Sequence, residues 1–530
     1  MLIDTVLAVL FTHGWLHFMF KEPRNITGPL KVILSALLVV MILSDLSIKF
    51  CLIHAGTYLL LLVTSVAIYR VSPFHPLAKF PGPVLNKITK LAGMQNSWGG
   101  HGHRNNHELH KKYGPIVRVG PNDLSIVDVD AVTSVLGANG LPKGRYYDAR
   151  QDPNAPSNLI ILREEPHAHR RRLWNRGLTP EALREYEAII AKRASQVISQ
   201  IQESKGDIDF ASYVNYFTFD VMGDMAFGRG FNMITEGDKD GLWDTLERWA
   251  FSAAVISHMP WAVRLWEKLP AVSHELLKLR KFGFDCAMQR AKGGATSKDL
   301  WYHLSDEAGL EKEKPTLREV ASDGALAVIA GADTTASALA SLFWSLIRNP
   351  EVYKRLQNEI DTVYADHANP LSTEKHSKLV YLNACINETL RLYPPVPTNG
   401  PRQVWYGAGP HVVAGSAIPE GTQIYVPPYS LHRDPRYFSP NPETFIPERW
   451  LESDKTMNTL AFIPFSYGPA NCVGRQMAKQ EMLMFASVLL QNFTFSFAKG
   501  FDSDDWPNQM HDYFVTTRGP LLLHAEPRTI

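Results

Sequence analysis

Cysteine is scarce in this chain: there are four, Cys51, Cys286, Cys385 and Cys472, so far apart that no pair has zinc-site or redox-dithiol spacing. That excludes a disulfide-built scaffold and fits a domain kept in a reducing compartment, where one thiol can stay a free ligand. An excess of charge of one sign is also missing. With 54 basic and 53 acidic residues the formal charge is +1, so no nucleic-acid partner held by phosphate neutralisation is expected. Internal repeats and low-complexity tracts are absent, which sets aside solenoids and disordered arrays. The 530 residues could fill two or three average domains, or one large domain behind a membrane anchor.

Acidic residues almost vanish from segment 1–70, where apolar residues dominate. Cys51 to Tyr69 is long enough to cross the hydrocarbon core and is closed by Arg70. Val32 to Phe50 is a second candidate, weakened by Asp45 and Lys49. Leu2 to Phe20 carries Asp4, His13 and His17, and lacks both the basic start and the small-residue cleavage site of a removable signal peptide. Lys21, Arg24 and Lys31 on one side, and Arg70 and Lys79 on the other, place both flanks in the cytosol by positive-inside counting. Two to three spans in 1–70 are expected, and three satisfy the charges. The sequon at Asn25 would then face the cytosol unmodified. Phe80-Pro81-Gly82-Pro83 lies in a stiff lead-in over 71–112, and the globular domain is expected over 113–530.

From Tyr113, two short strands flank the turn Gly120-Pro121-Asn122-Asp123, predicting a small sheet. Helices are predicted over Pro180–Gln202, Val214–Phe227, Leu242–Ala254 and Leu317–Arg348, the last stopped by Asn349-Pro350. After Pro394 strands and loops return, followed by a final helix over Val473–Leu490.

Immediately before that helix stands Phe465-Ser466-Tyr467-Gly468-Pro469-Ala470-Asn471-Cys472-Val473-Gly474. Its glycines and proline make a tight loop whose backbone can approach a flat ligand. Amides of the following turn and the positive helix end should favour the Cys472 thiolate, the form that binds metal. A lone cysteine before a helix is by itself usually buried and inert. The whole arrangement, with Phe465, Gly468, Cys472 and Gly474 at these offsets, resembles the haem-binding signature of the cytochrome P-450 superfamily. By that resemblance Cys472 is the axial thiolate ligand of a haem b iron, pushing electron density onto it and favouring O–O cleavage. The family commonly has arginine two residues before the cysteine, holding a haem propionate, and here that position is Ala470.

Other segments carry the same resemblance. Glu388 and Arg391, at i, i+3 spacing, would alone be an ordinary surface pair. With Tyr393-Pro394-Pro395 and the later Phe445-Ile446-Pro447-Glu448-Arg449-Trp450 they resemble the family's Glu-Arg-Arg triad, which implies a buried structural network of Glu388, Arg391 and Arg449 fixing the cysteine loop. Ala330-Gly331-Ala332-Asp333-Thr334-Thr335 is an odd helical stretch, rich in poor helix formers. Close packing by small residues would explain it equally well. In context it resembles the family's oxygen-binding helix, where Gly331 leaves room above the haem and Asp333 with Thr334 relays protons; Thr335 is assigned to packing. His167 and Arg171, one helical turn apart, and Arg402 align with propionate contacts in relatives, and replace the missing arginine.

The resemblance runs from the Tyr113 strands to the cysteine helix. It implies a mainly α fold with a small β-sheet, and a microsomal enzyme of the fungal type acting in secondary metabolism. The activity implied is a monooxygenase that spends O2 on a lipophilic small molecule, such as a terpenoid. No glycine-rich dinucleotide fingerprint follows a strand and no length remains for a flavin module. Electrons are therefore expected from a separate protein, which the resemblance implies to be an NADPH-dependent diflavin reductase of the endoplasmic reticulum membrane, with Arg475 and Lys479 as candidates for docking it. Leu141–Leu162 and Phe231–Pro270, rich in apolar and aromatic residues, are expected to cover the pocket. Two rivals stand beside this reading. One is a reductase-independent haem-thiolate isomerase or dehydratase, against which Asp333 and Thr334 argue; the other is a non-enzymatic membrane haem sensor.

Overall fold

The computed structural model describes residues 48–528, apart from 153, 205, 267, 269, 295–296, 366–368 and 452–456. Its first helix, α1 (Ile48–Val71), contains the expected span Cys51–Tyr69 and leaves Leu52, Ile53, Leu60 and Val63 exposed. The candidate span Leu2–Phe20, nearly all of Val32–Phe50 and the Asn25 sequon lie outside the described residues.

Five further helices matter for the site. They are α2 (Glu164–Arg176), α3 (Phe210–Phe227), α4 (Leu242–Ile256), α5 (Leu317–Arg348) and α6 (Val380–Leu392). The last long helix is α7 (Arg475–Asn492). Each end has a local cause. At α3 the Asp209 side chain accepts the Ala211 N–H, which starts the helix four residues before the predicted Val214, and Gly228 in the left-handed region ends it. In α5, Thr316 and Glu319 form a reciprocal capping box, and the helix runs 32 residues to Arg348, as predicted. Gly474 caps α7, so the helix starts two residues after the predicted Val473. Among the described residues α5 alone is long and apolar enough to span a membrane, yet 72% of its apolar window is buried, which marks it as a core helix.

The sheet beside this helical body has four strands. In sheet order they are β1 (Ile116–Gly120), β2 (Asp123–Ile126), β4 (Gln423–Tyr425) and β3 (Arg402–Gln403). β2 and β4 pair in parallel although about 300 residues separate them, whereas the other neighbours are antiparallel. A hairpin near the C-terminus, β5 (His511–Tyr513) and β6 (Val515–Thr517), turns on the single residue Phe514. One large apolar core joins α3, α5, α6 and α7, and a smaller one lies under the sheet and includes Leu77, Phe80 and Leu136. Arg170 ties α2 to α5 by ion pairs of 2.7 Å to both Glu319 and buried Asp323. The cavity that carries the chemistry lies between these helices and the sheet.

Candidate active site

The loop before α7 is set by two backbone constraints. The Cys472 N–H donates to the Phe465 carbonyl at 2.8 Å, closing the loop on itself. Gly468 has φ +71°, and a Cβ there would strike the Leu136 carbonyl, so only glycine lets the loop sit on the helix Val129–Leu136. Cys472 is a free thiol, exposed only toward a cavity of about 280 Å³ that Phe465 and Gly474 also line. Burial pushes its thiol up, against the opposing pull of the Gly474 N–H and of Arg171 and Arg475. Burial thus opposes the amides and the helix end that were expected to favour the thiolate.

The loop is held from behind by a buried ion network. Glu388 accepts two bonds from Arg391 at 2.8 Å, one from Arg449 at 3.2 Å, one from the Trp450 indole at 3.0 Å and one from the Ile446 N–H at 2.9 Å. Glu388 and Arg391 are fully buried, so the expected pair is no surface pair. A residue unremarked in the sequence completes the link. Arg391 donates to the His432 carbonyl at 2.8 Å, and His432 Nε2 accepts the Ile463 N–H at 2.9 Å, two residues before Phe465. Burial first, and then Arg391, lower the His432 pKa to about 3, which keeps that nitrogen an acceptor.

One wall of the cavity is basic. His167, Arg171 and Arg402 all line it, as expected, and Lys143 joins them. Arg171 donates to the Asn471 carbonyl at 2.6 Å and to its side chain at 2.7 Å, gripping the residue before Cys472. Lys143 is buried and donates to the Leu159 and Leu162 carbonyls at 2.8 and 3.1 Å. It bridges to Arg402 across the end of the sheet. Arg402 Nε is buried without a partner. The lysine is lowered well below its ordinary range by burial and by the cations Arg402, Arg163 and Arg171, and His167 falls to about 4, by burial and then Lys143. No acidic side chain pairs with Arg402, Lys143 or Arg171 among the described residues. Such a wall suits a ligand carrying carboxylates.

The opposite wall is α5. Thr334 lines the cavity and donates its hydroxyl to the Ala330 carbonyl at 2.8 Å. Asp333 is buried but turned off the cavity, toward Arg518 and Glu247, so the expected acid–alcohol pair is not joined by a direct hydrogen bond. Burial raises the Asp333 carboxyl to about 7. Thr335, assigned to packing, is buried and yet touches the cavity. Gly331 lines the cavity as well, and a Cβ on it would meet the flexible end of the Met222 side chain, which lines the cavity beside it. Glu481 on α7 was not foreseen: it is 1% exposed, lines the cavity, and burial alone pushes its carboxyl well up.

Of the two segments expected to cover the pocket, Leu141–Leu162 contributes Lys143, Tyr147, Leu159 and Ile160. None of the described residues of Phe231–Pro270 lines this cavity; Phe251 of α4 packs edge-on, at 5.3 Å between ring centres, against Tyr513 of the β5–β6 hairpin, whose Phe514 does line it.

The family model described as cytochrome P-450 matches residues 80–524, most of the chain. The chain is a cytochrome P-450 monooxygenase. It is 34% identical over 482 residues to the cytochrome P-450 monooxygenase FCK2 of Fusarium pseudograminearum, covering 88% of this chain and 85% of the relative. It is 30% identical over 493 residues to the averantin hydroxylase of Dothistroma septosporum, covering 90% and 91%, and 31% identical over 469 residues to the tryprostatin B 6-hydroxylase of Aspergillus fumigatus, covering 87% and 82%. Membership implies haem held by a cysteine thiolate, O2, a small-molecule substrate and a redox partner. The residues of this P-450 fit that group: a free thiol faces one side of the cavity, and three cations, one with an orphaned Nε, face it from the wall where carboxylates would be received. Cys472 would hold the iron, and Lys143, His167, Arg171 and Arg402 the propionates. When bound, the haem supplies the activation of O2.

Proposed function

We propose that this cytochrome P-450 carries haem b on Cys472 and hydroxylates a lipophilic secondary metabolite, a terpenoid in the narrower form of the proposal. Its N-terminal segment anchors it in the endoplasmic reticulum membrane, with the catalytic domain facing the cytosol. A separate NADPH-dependent diflavin reductase supplies electrons at the face bearing Arg475 and Lys479. The observation that carries the chemistry is the placement of free Cys472 and the unpaired cations Lys143, Arg171 and Arg402 around one cavity. The hydroxylase names of the relatives support a small-molecule substrate, and the basic closure of α1 at Arg70 supports the topology.

In this reading Thr334 delivers a proton from its hydroxyl at the cavity wall. Asp333, raised to about 7 by burial, holds a proton near neutral pH, and a water relays it between the two. The apolar lining from Leu159, Ile160, Leu326, Ala327 and Val396 excludes bulk water from that step. The test is reconstitution with NADPH and the diflavin reductase, with product analysis. Turnover that needs both supports the proposal, and turnover of a peroxide without either favours a reductase-independent rearrangement. Replacing Cys472 by alanine should abolish the thiolate-type carbon monoxide spectrum of the reduced protein; a normal spectrum from that variant overturns the assignment.

A further inference from the structure

A second, smaller cavity of about 60 Å³ adjoins the first, and Asn399 and Phe514 line both. Phe514 is the residue between β5 and β6. Its φ is +81°, a left-handed conformation that a bulky side chain rarely adopts. The ring stacks on Tyr146 at 6.2 Å, and the Arg150 guanidinium lies beside both rings, 4.4 Å from the centre of Phe514 and 5.5 Å from that of Tyr146. A residue kept in so unfavourable a conformation at the boundary of two cavities points to a function at that boundary.

The two cavities differ in chemistry. The larger is walled by aliphatic side chains over α5, whereas the smaller sets Ser97, Asn106, His258, Thr398 and Asp512 among apolar neighbours such as Val119, Ala254 and Tyr425. Asp512 is 7% exposed. Its carboxylate accepts the Thr398 hydroxyl on one oxygen and the Phe514 N–H, at 3.1 Å, on the other, and it has no cation within ion-pair distance among the described residues. A carboxylate can accept about four hydrogen bonds, so Asp512 retains capacity toward the chamber. Asn106 makes no side-chain hydrogen bond to the described residues and offers both a donor and an acceptor. His258 is engaged with the Ser97 hydroxyl at 2.8 Å.

An anionic end group would be repelled by Asp512, and a cationic one by Arg150, which lies beside Tyr146 and Phe514 close enough to act on Asp512 and His258. A neutral group that both donates and accepts suits the walls. We propose that this polar chamber is a subsite for the amide-type end, an N–H beside a carbonyl, of an elongated substrate that passes Phe514 and lays its apolar body in the larger cavity. The proposal rests on the monooxygenase reading and names the substrate's polar terminus. Asp512 accepts from the amide N–H, Asn106 donates to its carbonyl, and Phe514 is the gate between the two spaces.

The test uses the full-length haem-loaded protein, titrated with dodecanamide, 1-dodecanol and dodecane, with the haem spin-state change as readout. Dodecanamide should bind about tenfold tighter than dodecane, the effect of one or two net hydrogen bonds. Asn106→Leu and Asp512→Asn should each erase most of that advantage while leaving the dodecane affinity within about twofold, as expected when only polar contacts are lost. Phe514→Ala should speed amide binding without altering the carbon monoxide spectrum. Equal affinity for amide and alkane, a preference for the alcohol, or variants that weaken all three probes alike would each overturn the subsite. So would absence of a spin change with any probe in a protein whose carbon monoxide spectrum is of the thiolate type. Loss of that spectrum in the unsubstituted protein would instead overturn the monooxygenase reading.

Discussion

Replacing Arg402 by leucine should have two effects of opposite sign. Arg402 sits on β3, is 7% exposed, has an orphaned Nε, and forms no ion pair among the described residues. Its neighbours in the basic wall, Lys143 and Arg171, are cations too. The haem-free protein therefore holds a desolvated charge without compensation. Replacing an uncompensated buried charge by an apolar side chain of similar volume removes its desolvation cost, so the haem-free protein should be as stable or more stable. With haem bound, the same substitution removes a charge-assisted hydrogen bond to a propionate, worth about 1.5 to 3 kcal/mol. That is about 10- to 150-fold in haem affinity at 1.4 kcal/mol per decade. Urea unfolding of the haem-free variant, and the rate of haem transfer from the loaded variant to an excess of a haem-scavenging apoprotein, measure the two halves. A midpoint at or above that of the unsubstituted protein with faster haem loss supports the reasoning. A variant that is less stable without haem and loses haem no faster would refute it, and would make Arg402 an ordinary structural residue of the sheet.

Thr334→Ala should divert reducing equivalents to peroxide with haem still bound; unchanged coupling removes Thr334 from proton delivery. Asp333 has a raised carboxyl pKa, about 7, when folded and an ordinary one when unfolded, so its contribution to stability is complete below the unfolded value near 4 and is lost as pH rises through 7. Asp333→Asn should therefore remove a loss on the order of 2 to 3 kcal/mol between pH 5 and pH 8, read from urea midpoints of both proteins; parallel pH profiles would contradict the raised pKa. Reversing Arg475, which is exposed beside the cysteine loop, should slow reduction by the diflavin reductase most at low salt, and a rate and salt dependence that do not move would exclude it from docking.

The parts of the site legible in the sequence are those whose chemistry is local. Phe465 to Gly474 read as a tight loop before a helix, because glycine conformations and the cap of the following helix are set by neighbouring residues. Glu388 and Arg391 lie one helical turn apart, so their pairing needs no tertiary information, although their full burial and the five bonds converging on Glu388 do. Glu481 and Asp512 left no comparable mark. Each is a single carboxylate in an otherwise unremarkable helix or strand, and its surroundings come from elements tens or hundreds of residues away. Phe231–Pro270 shows the converse: its apolar and aromatic composition is real, but among the described residues it lines other spaces, Ala254 and His258 the second cavity and Leu242 and Leu246 a further one.

By itself the sequence determined the ligand loop and the long core helix with its ends, because periodicity, capping and turn chemistry act over a few residues, and its motifs carried the resemblance to the family. Tertiary structure alone decided three other matters. Lys143 joins Arg402 at the cavity through a bridge across 259 positions of chain, supplying a cation that Ala470 cannot. Asp333 and Thr334, adjacent in sequence, point to different environments, since consecutive helical residues lie about 100° apart and only Thr334 faces the cavity. The thiol of Cys472 is raised rather than lowered, because the same burial that shapes the cavity removes the water that would stabilise its charge.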